Sequence, residues 1–153
     1  MVSRAVFSSE NVNWKTPKYV YDYLDDEFEF TFDPCPTWKF NIQLWNGLEI
    51  EWSDMNFVNP PYSRSTIALW IKKGIEEQKK KHYSVFLIPS RTDVKWFYKM
   101  FEYATEIRFV VGRIKFVGAK SSAPFPSMIV FFGPKQKFTT PKISMVMIPN
   151  KVN

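Results

Sequence analysis

Met55-Asn56-Phe57-Val58-Asn59-Pro60-Pro61-Tyr62 reads as a short apolar strand stopped by two prolines, which have no N–H to give to a sheet and fix the backbone of the turn. Immediately downstream, residues 65–81 carry Ile67, Leu69, Trp70, Ile71 and Ile75 at helical spacing, with lysines between them. Ser63 or Ser65 is placed to cap that helix. A strand, a rigid stop and a helix in succession are the start of an alternating α/β pattern.

Upstream, Thr16 is a candidate N-cap and Pro17 a first helical residue for a helix over 17–28, which puts Val20, Tyr21, Leu24 and Phe28 on one face. Phe30-Thr31-Phe32 alternates and stops at Asp33-Pro34, and 48–52 has the composition of another short strand. Downstream, the pattern predicts a strand over 84–88, a helix over 92–103, and a strand over 106–111 with 113–117 as its hairpin partner across Gly112. Strands over 128–132 and, at an edge, 143–148 complete the set. Strands alternating with helices, then a hairpin-like finish, predict an α/β fold whose sheet is mostly parallel with an antiparallel C-terminal edge. Ligands of such sheets bind beyond the carboxyl ends of the strands, where Asp33, Asp54 and Asn59 are expected to gather.

The 153 residues suit one domain, 1–153, with no room for a separate target-recognition domain of ordinary size. Aromatic residues make up 18% of the chain, more than a small core needs, and their faces also stack on nucleobases. Residues 1–60 hold 4 basic and 10 acidic side chains, whereas 61–153 hold 17 and 5. A basic second half fits a polyanionic partner. Cys35 is the only cysteine, which excludes an internal disulfide and a Cys-rich metal site and points to a reducing, cytoplasmic compartment. Residues 1–10 lack a secretion-signal pattern, and no apolar run is long enough to span a membrane. The single histidine, His82, has no serine–aspartate or second histidine to build a triad or metal pair, so no metal is expected.

Asn59-Pro60-Pro61-Tyr62 also matches the amino-methyltransferase motif (D/N/S)PP(Y/F/W). The amino nitrogen of adenine is a poor nucleophile because its lone pair is delocalised into the ring. Two acceptors, the Asn59 side-chain oxygen and the Pro60 carbonyl, can each take one N–H and free the lone pair. Consecutive prolines aim the carbonyl in advance, and Tyr62 offers a ring for a base that has left the stack. The competing structural reading makes Pro60-Pro61 a strand terminator, Asn59 a turn residue and Tyr62 part of the core.

The chain resembles the phage-type, Dam-like DNA adenine-N6 methyltransferases. The resemblance rests on Trp14-Lys15-Thr16-Pro17, Phe30-Thr31-Phe32-Asp33-Pro34-Cys35, Trp52-Ser53-Asp54 leading to Asn59-Pro60-Pro61-Tyr62-Ser63, Leu87 to Asp93 with Trp96-Phe97, Gly112 to Phe116, and Ala123 to Ser127. It implies a compact Rossmann-like methyltransferase fold, S-adenosyl-L-methionine as cofactor, DNA as partner, and a setting in the host cytoplasm with a role in evading restriction if phage-encoded. On this resemblance Asn59, Pro60, Pro61 and Tyr62 are catalytic. Trp14, Thr16, Pro17, Asp33, Pro34, Cys35 and Asp54 bind cofactor; Ser63, Arg64, Arg91, Arg113 and Lys115 meet DNA. The chain departs from larger methyltransferases in having no glycine between Asp33 and Gly47.

Two other readings compete. Protein glutamine-N5 methyltransferases share the tetrapeptide and a planar amide substrate, but their Gly-rich cofactor segment and accessory N-terminal domain are missing here. A catalytically silent, methyltransferase-derived nucleic-acid-binding module would keep the charge asymmetry and lose the cofactor. Cys35 as a nucleophile would require cytosine-C5 chemistry, and a buried structural cysteine is the alternative.

Overall fold

The computed structural model describes residues 14–36, 46–135 and 139–150; the aromatic-rich connection 37–45 and the residues before Trp14 lie outside it. Helix α1 spans Lys18–Phe28 and buries Val20 and Leu24, one turn apart. Its N-cap is Pro17, with no side-chain cap, so Thr16 does not cap the helix as its position suggested. Strand β1 (Met55–Val58) leads through the two prolines to α2 (Arg64–Lys79), where Ser63 is the cap and accepts from the Thr66 N–H. Strand β2 (Tyr83–Pro89), helix α3 (Lys95–Tyr103) and strands β3 (Glu106–Val110), β4 (Ser127–Phe132) and β5 (Lys142–Val146) follow.

These five strands form one sheet in the order β1-β2-β4-β3-β5. β1 pairs parallel with β2, and β3 parallel with β5, while β4 is antiparallel to both its neighbours. Four strands therefore run the same way, but the reversed strand lies inside the sheet, and the C-terminal edge strand is parallel. This corrects the expected antiparallel edge. The cause is the connection 111–126, which contains no helix. Without a crossover the chain can return only as an antiparallel neighbour of β3.

Two other expectations change. Residues 113–117 form no strand and no hairpin with β3, whose two sides are already taken by β4 and β5. Residues 48–52 form a turn rather than a strand: Asn46 accepts from Leu48 N–H through its side chain and from Glu49 N–H through its carbonyl. The place beside β1 goes instead to residues 30–32, with Thr31 N–H donating to Met55 O and Phe57 N–H to Phe32 O around a single parallel bridge. Leu69, expected inside, is 54% exposed because the buried stripe of α2 runs through Ile67, Trp70, Ile71, Gly74 and Ile75.

Alternation along the strands gives the sheet two apolar faces. Val58, Phe86, Ile88, Val130 and Phe132 face α2 and α3; Phe57, Val85, Leu87 and Ile129 face α1 and the connection 111–126. At the end of α2 away from Asn59, the fully buried Glu77 carboxylate accepts from Trp52 N–H, Lys73 and Lys80, and pairs with His82 Nδ1 at 2.6 Å. His82 thus has a structural partner.

Candidate active site

Asn59 follows the carboxyl end of β1, and Asp33 follows the parallel segment 30–32 beside it, so the two side chains reach the same rim of the sheet. Between them and α1 lies a cleft of about 470 Å³ lined by Lys15, Thr16, Lys18, Tyr21, Asp33, Cys35, Phe57, Asn59 and Val117. That volume is in the range of small-molecule sites.

Asn59 is 4% exposed, and its amide has a fixed orientation. Nδ2 donates to the Trp14 carbonyl and, at 2.8 Å, to Thr16 Oγ1. A carbonyl can only accept, so the reversed amide would set oxygen against oxygen. The orientation leaves Oδ1 buried and without a hydrogen-bond partner among the described residues. An unsatisfied buried acceptor costs stability, roughly 1–3 kcal/mol, and such a group calls for an explanation.

Asp33 accepts from Cys35 N–H at 2.8 Å, which turns the chain at Pro34. Burial raises its carboxyl to about 6, with the Cys35 N–H offsetting part of the rise. The Cys35 thiol is 5% exposed and pushed up to about 12 by burial and by Asp33. A thiol in that state is not a nucleophile at neutral pH. Gly47 packs directly on this segment: a Cβ there would lie 2.0 Å from Pro34 O and 2.7 Å from Trp70 Cη2.

Tyr62 donates its hydroxyl to Leu87 O at 2.8 Å, and burial holds that hydroxyl well above its ordinary pKa, with Cys35 adding to the rise. Phe116 and Phe125 meet its ring nearly at right angles, and Trp14 meets both of them edge-on. The backbone is stitched here as well, Val117 N–H donating to Lys15 O at 3.0 Å.

The structure therefore brings together Trp14, Thr16, Asp33, Cys35 and Asn59, with buried Pro17, Pro34 and Pro60 shaping the backbone around them. Asp54 is not brought there: it is exposed and precedes β1, at the opposite end of that strand from Asn59. Its expected place followed from the strand at 48–52 that does not form. Ser63 is occupied as a helix cap. Arg64 opens α2 and Arg91 follows β2, so both stand at the strands' carboxyl rim, where Asp93 pairs with Arg91 and is also influenced by Arg64. Arg113 and Lys115 point outward from an extended segment that buries Ile114 and Phe116. Sequence reasoning missed Lys15, Lys18, Tyr21, Phe57 and Val117 as lining residues, because their places depend on how α1 and the 111–126 connection fold over the sheet.

Comparison with known proteins gives the family of the chain. The family described as DNA N-6-adenine-methyltransferase (Dam) matches residues 5–152. The chain belongs to the Dam family. A DNA N-6-adenine-methyltransferase of Escherichia phage T1 is 30% identical over 106 residues, covering 63% of this chain and 44% of the phage T1 protein. The chain thus spans under half the length of that Dam relative. No solved structure matches. No described helix is long and apolar enough to cross a membrane.

Proposed function

We propose that this protein transfers a methyl group from S-adenosyl-L-methionine to the exocyclic N6 amino group of adenine in DNA. The observation that carries the reading is the Asn59 amide, whose nitrogen is tied down on both sides while its oxygen stays buried and unpartnered. That oxygen has the chemistry to accept an N–H of an adenine amino group. Accepting it draws the nitrogen lone pair out of the ring and leaves it nucleophilic. The acceptor is held before substrate arrives, so little reorganisation remains for the reaction.

The residues present fit the cofactor. The Asp33 carboxylate suits its ammonium group, and Thr16 borders the same cleft. S-adenosylmethionine bound there would supply an electrophilic methyl group. Tyr62, three residues after Asn59 and fixed by Leu87 O and two phenylalanines, is a rigid ring to which this reading gives the stacking of an extruded base. Arg64, Arg91, Arg113 and Lys115 supply positive charge for the DNA backbone. Dam-family membership favours this chemistry over glutamine-N5 transfer, and the setting is the host cytoplasm if the chain is phage-encoded.

The test is incubation of the protein and its Asn59→Ala variant with unmethylated DNA and S-adenosylmethionine, followed by digestion and mass spectrometry. N6-methyladenine from the parent protein, reduced on the order of 10²-fold in the variant, is expected. Equal yields from the two proteins, or methylated cytosine, would refute the reading. Absence of cofactor binding in calorimetry would instead favour a silent DNA-binding module.

A further inference from the structure

On the other face of the sheet, α2 and α3 enclose a groove of about 480 Å³ whose lining includes Lys72, Lys79, Lys95 and Lys99 against a single carboxylate, Glu76. From these residues we infer that the α2–α3 groove is a second nucleic-acid site, which holds a phosphodiester backbone away from the catalytic cleft without reading its sequence.

Three observations favour that occupant. First, two of the cations share one aromatic ring. The ammonium groups of Lys79 and Lys99 lie 5.6 and 4.9 Å from the centre of the one Tyr103 ring. The ring attracts both ammonium groups and so holds two positive charges beside one side chain of the groove. Among the described residues, neither Lys79 nor Lys95 has a carboxylate at ion-pair distance, and the pairs of Lys72 with Glu76 and Lys99 with Glu102 are long, at 4.0 and 3.9 Å, and well exposed. Such pairs contribute little and yield readily to a phosphate.

Second, the apolar surface that the groove leaves open is small. Ile71, Ile75 and Trp96 in its floor are 1%, 4% and 7% exposed, which leaves little for an amphipathic helix of a partner protein to bury. Third, its direction suits a strand of nucleic acid. Both helices start at the strand rim that carries Asn59 and run away from it, so Lys95 is near the rim, Lys72 and Lys99 further along, and Lys79 at the far end. At 1.5 Å per residue, Lys72 and Lys79 are roughly 10 Å apart along α2. The groove is firm: Gln78 bridges Tyr103 O and Gly133 O from the last turn of α2.

The inference is independent of catalysis, and its test is run without cofactor so that failure of the methylation reading does not decide it. Binding of a fluorescein-labelled DNA duplex is followed by anisotropy over a salt series. The proteins compared are the parent, a variant carrying Lys72→Gln, Lys79→Gln, Lys95→Gln and Lys99→Gln, a control carrying Lys120→Gln and Lys142→Gln, and the single reversal Lys99→Glu. Because log K falls with log salt by about 0.9 per neutralised phosphate, the fourfold variant is expected to lower the slope by about 2 to 4, with an unchanged melting temperature. Lys99→Glu is expected to weaken binding at least as much as the double control. An unchanged slope, or a loss per lysine equal to that of the control, overturns the site. Poly-L-glutamate binding more tightly than DNA, and lost in the fourfold variant, overturns its assignment to nucleic acid.

Discussion

The Asn59 Nδ2 atom donates to Thr16 Oγ1 at 2.8 Å, joining two residues 43 positions apart and fixing which end of the amide faces the cleft. Thr16 is therefore more than a cleft wall: it positions the acceptor. Replacing its hydroxyl by a methyl group of the same size, Thr16→Val, leaves the Trp14 carbonyl as the remaining anchor. Single-turnover methylation should slow about tenfold, the worth of one hydrogen bond, with Thr16→Ser close to the parent. Equal rates for the valine and parent proteins would show that Trp14 alone suffices.

On the proposed function, Asp33 makes cofactor binding depend on pH. With its carboxyl raised to about 6, the ionised form that pairs with an ammonium group is lost as pH falls through 6. Calorimetry with S-adenosylmethionine should show affinity falling below pH 6 in the parent, and weak, pH-independent binding in Asp33→Asn.

The same shift has the opposite sign for stability. A carboxyl raised above its unfolded value binds more protons in the folded state, so its contribution is favourable below about pH 4 and lost as pH rises through 6. Asp33→Asn keeps an acceptor for Cys35 N–H and removes the buried charge. Without cofactor it should melt higher than the parent at pH 8, with the difference shrinking toward pH 4.

Glu77 behaves in reverse. Burial raises its pKa, but hydrogen bonds from Lys73, His82, the Trp52 backbone and Lys80 outweigh this and hold it at about 2. The stability it contributes is fully present above pH 4.5 and fades as pH falls toward 2. Glu77→Ala strands the cations that face it and should cost about 3 kcal/mol in urea unfolding at pH 7. A cost below about 1 kcal/mol would mean that the network is replaceable.

Gly47→Ala tests the packing of the Asp33-Pro34-Cys35 segment. The new Cβ would collide with the Pro34 carbonyl, which has backbone on both sides and cannot swing away as a side chain can. Overpacking of this kind costs about 1–3 kcal/mol, and cofactor affinity should fall with it. An unshifted melting point and affinity would show that the turn 47–50 moves freely.

The local elements were legible in the sequence where one signal governed them. The prolines after Val58 end β1, Ser63 caps α2, and the apolar runs at 84–88 and 128–132 are the buried strands β2 and β4. Strand order was not, since alternation tells a strand which faces to bury and not which neighbour to pair. The turn at 47–50 went unread because Leu48, Ile50 and Trp52 have strand-like composition, whereas Asn46 and Gly47 set the backbone. At the site, Asn59 and Asp33 were recognisable by chemical type and position after a strand, and Thr16 only through the family resemblance. Asp54 was misplaced with the strand before it, and the Asn59–Thr16 bond has no sequence signature, being a contact between distant segments.

The hydrogen bond from Val117 N–H to Lys15 O closes the cleft with residues more than a hundred positions apart. A pocket assembled from such distant pieces has to wait for loop closure, and contacts of high sequence separation are slow to form. Ligand competence should therefore be among the last properties gained in refolding, after the β2–β4 centre of the sheet is in place. A fragment ending before Val117 would keep the Asn-Pro-Pro-Tyr motif and have no closed pocket in which to use it.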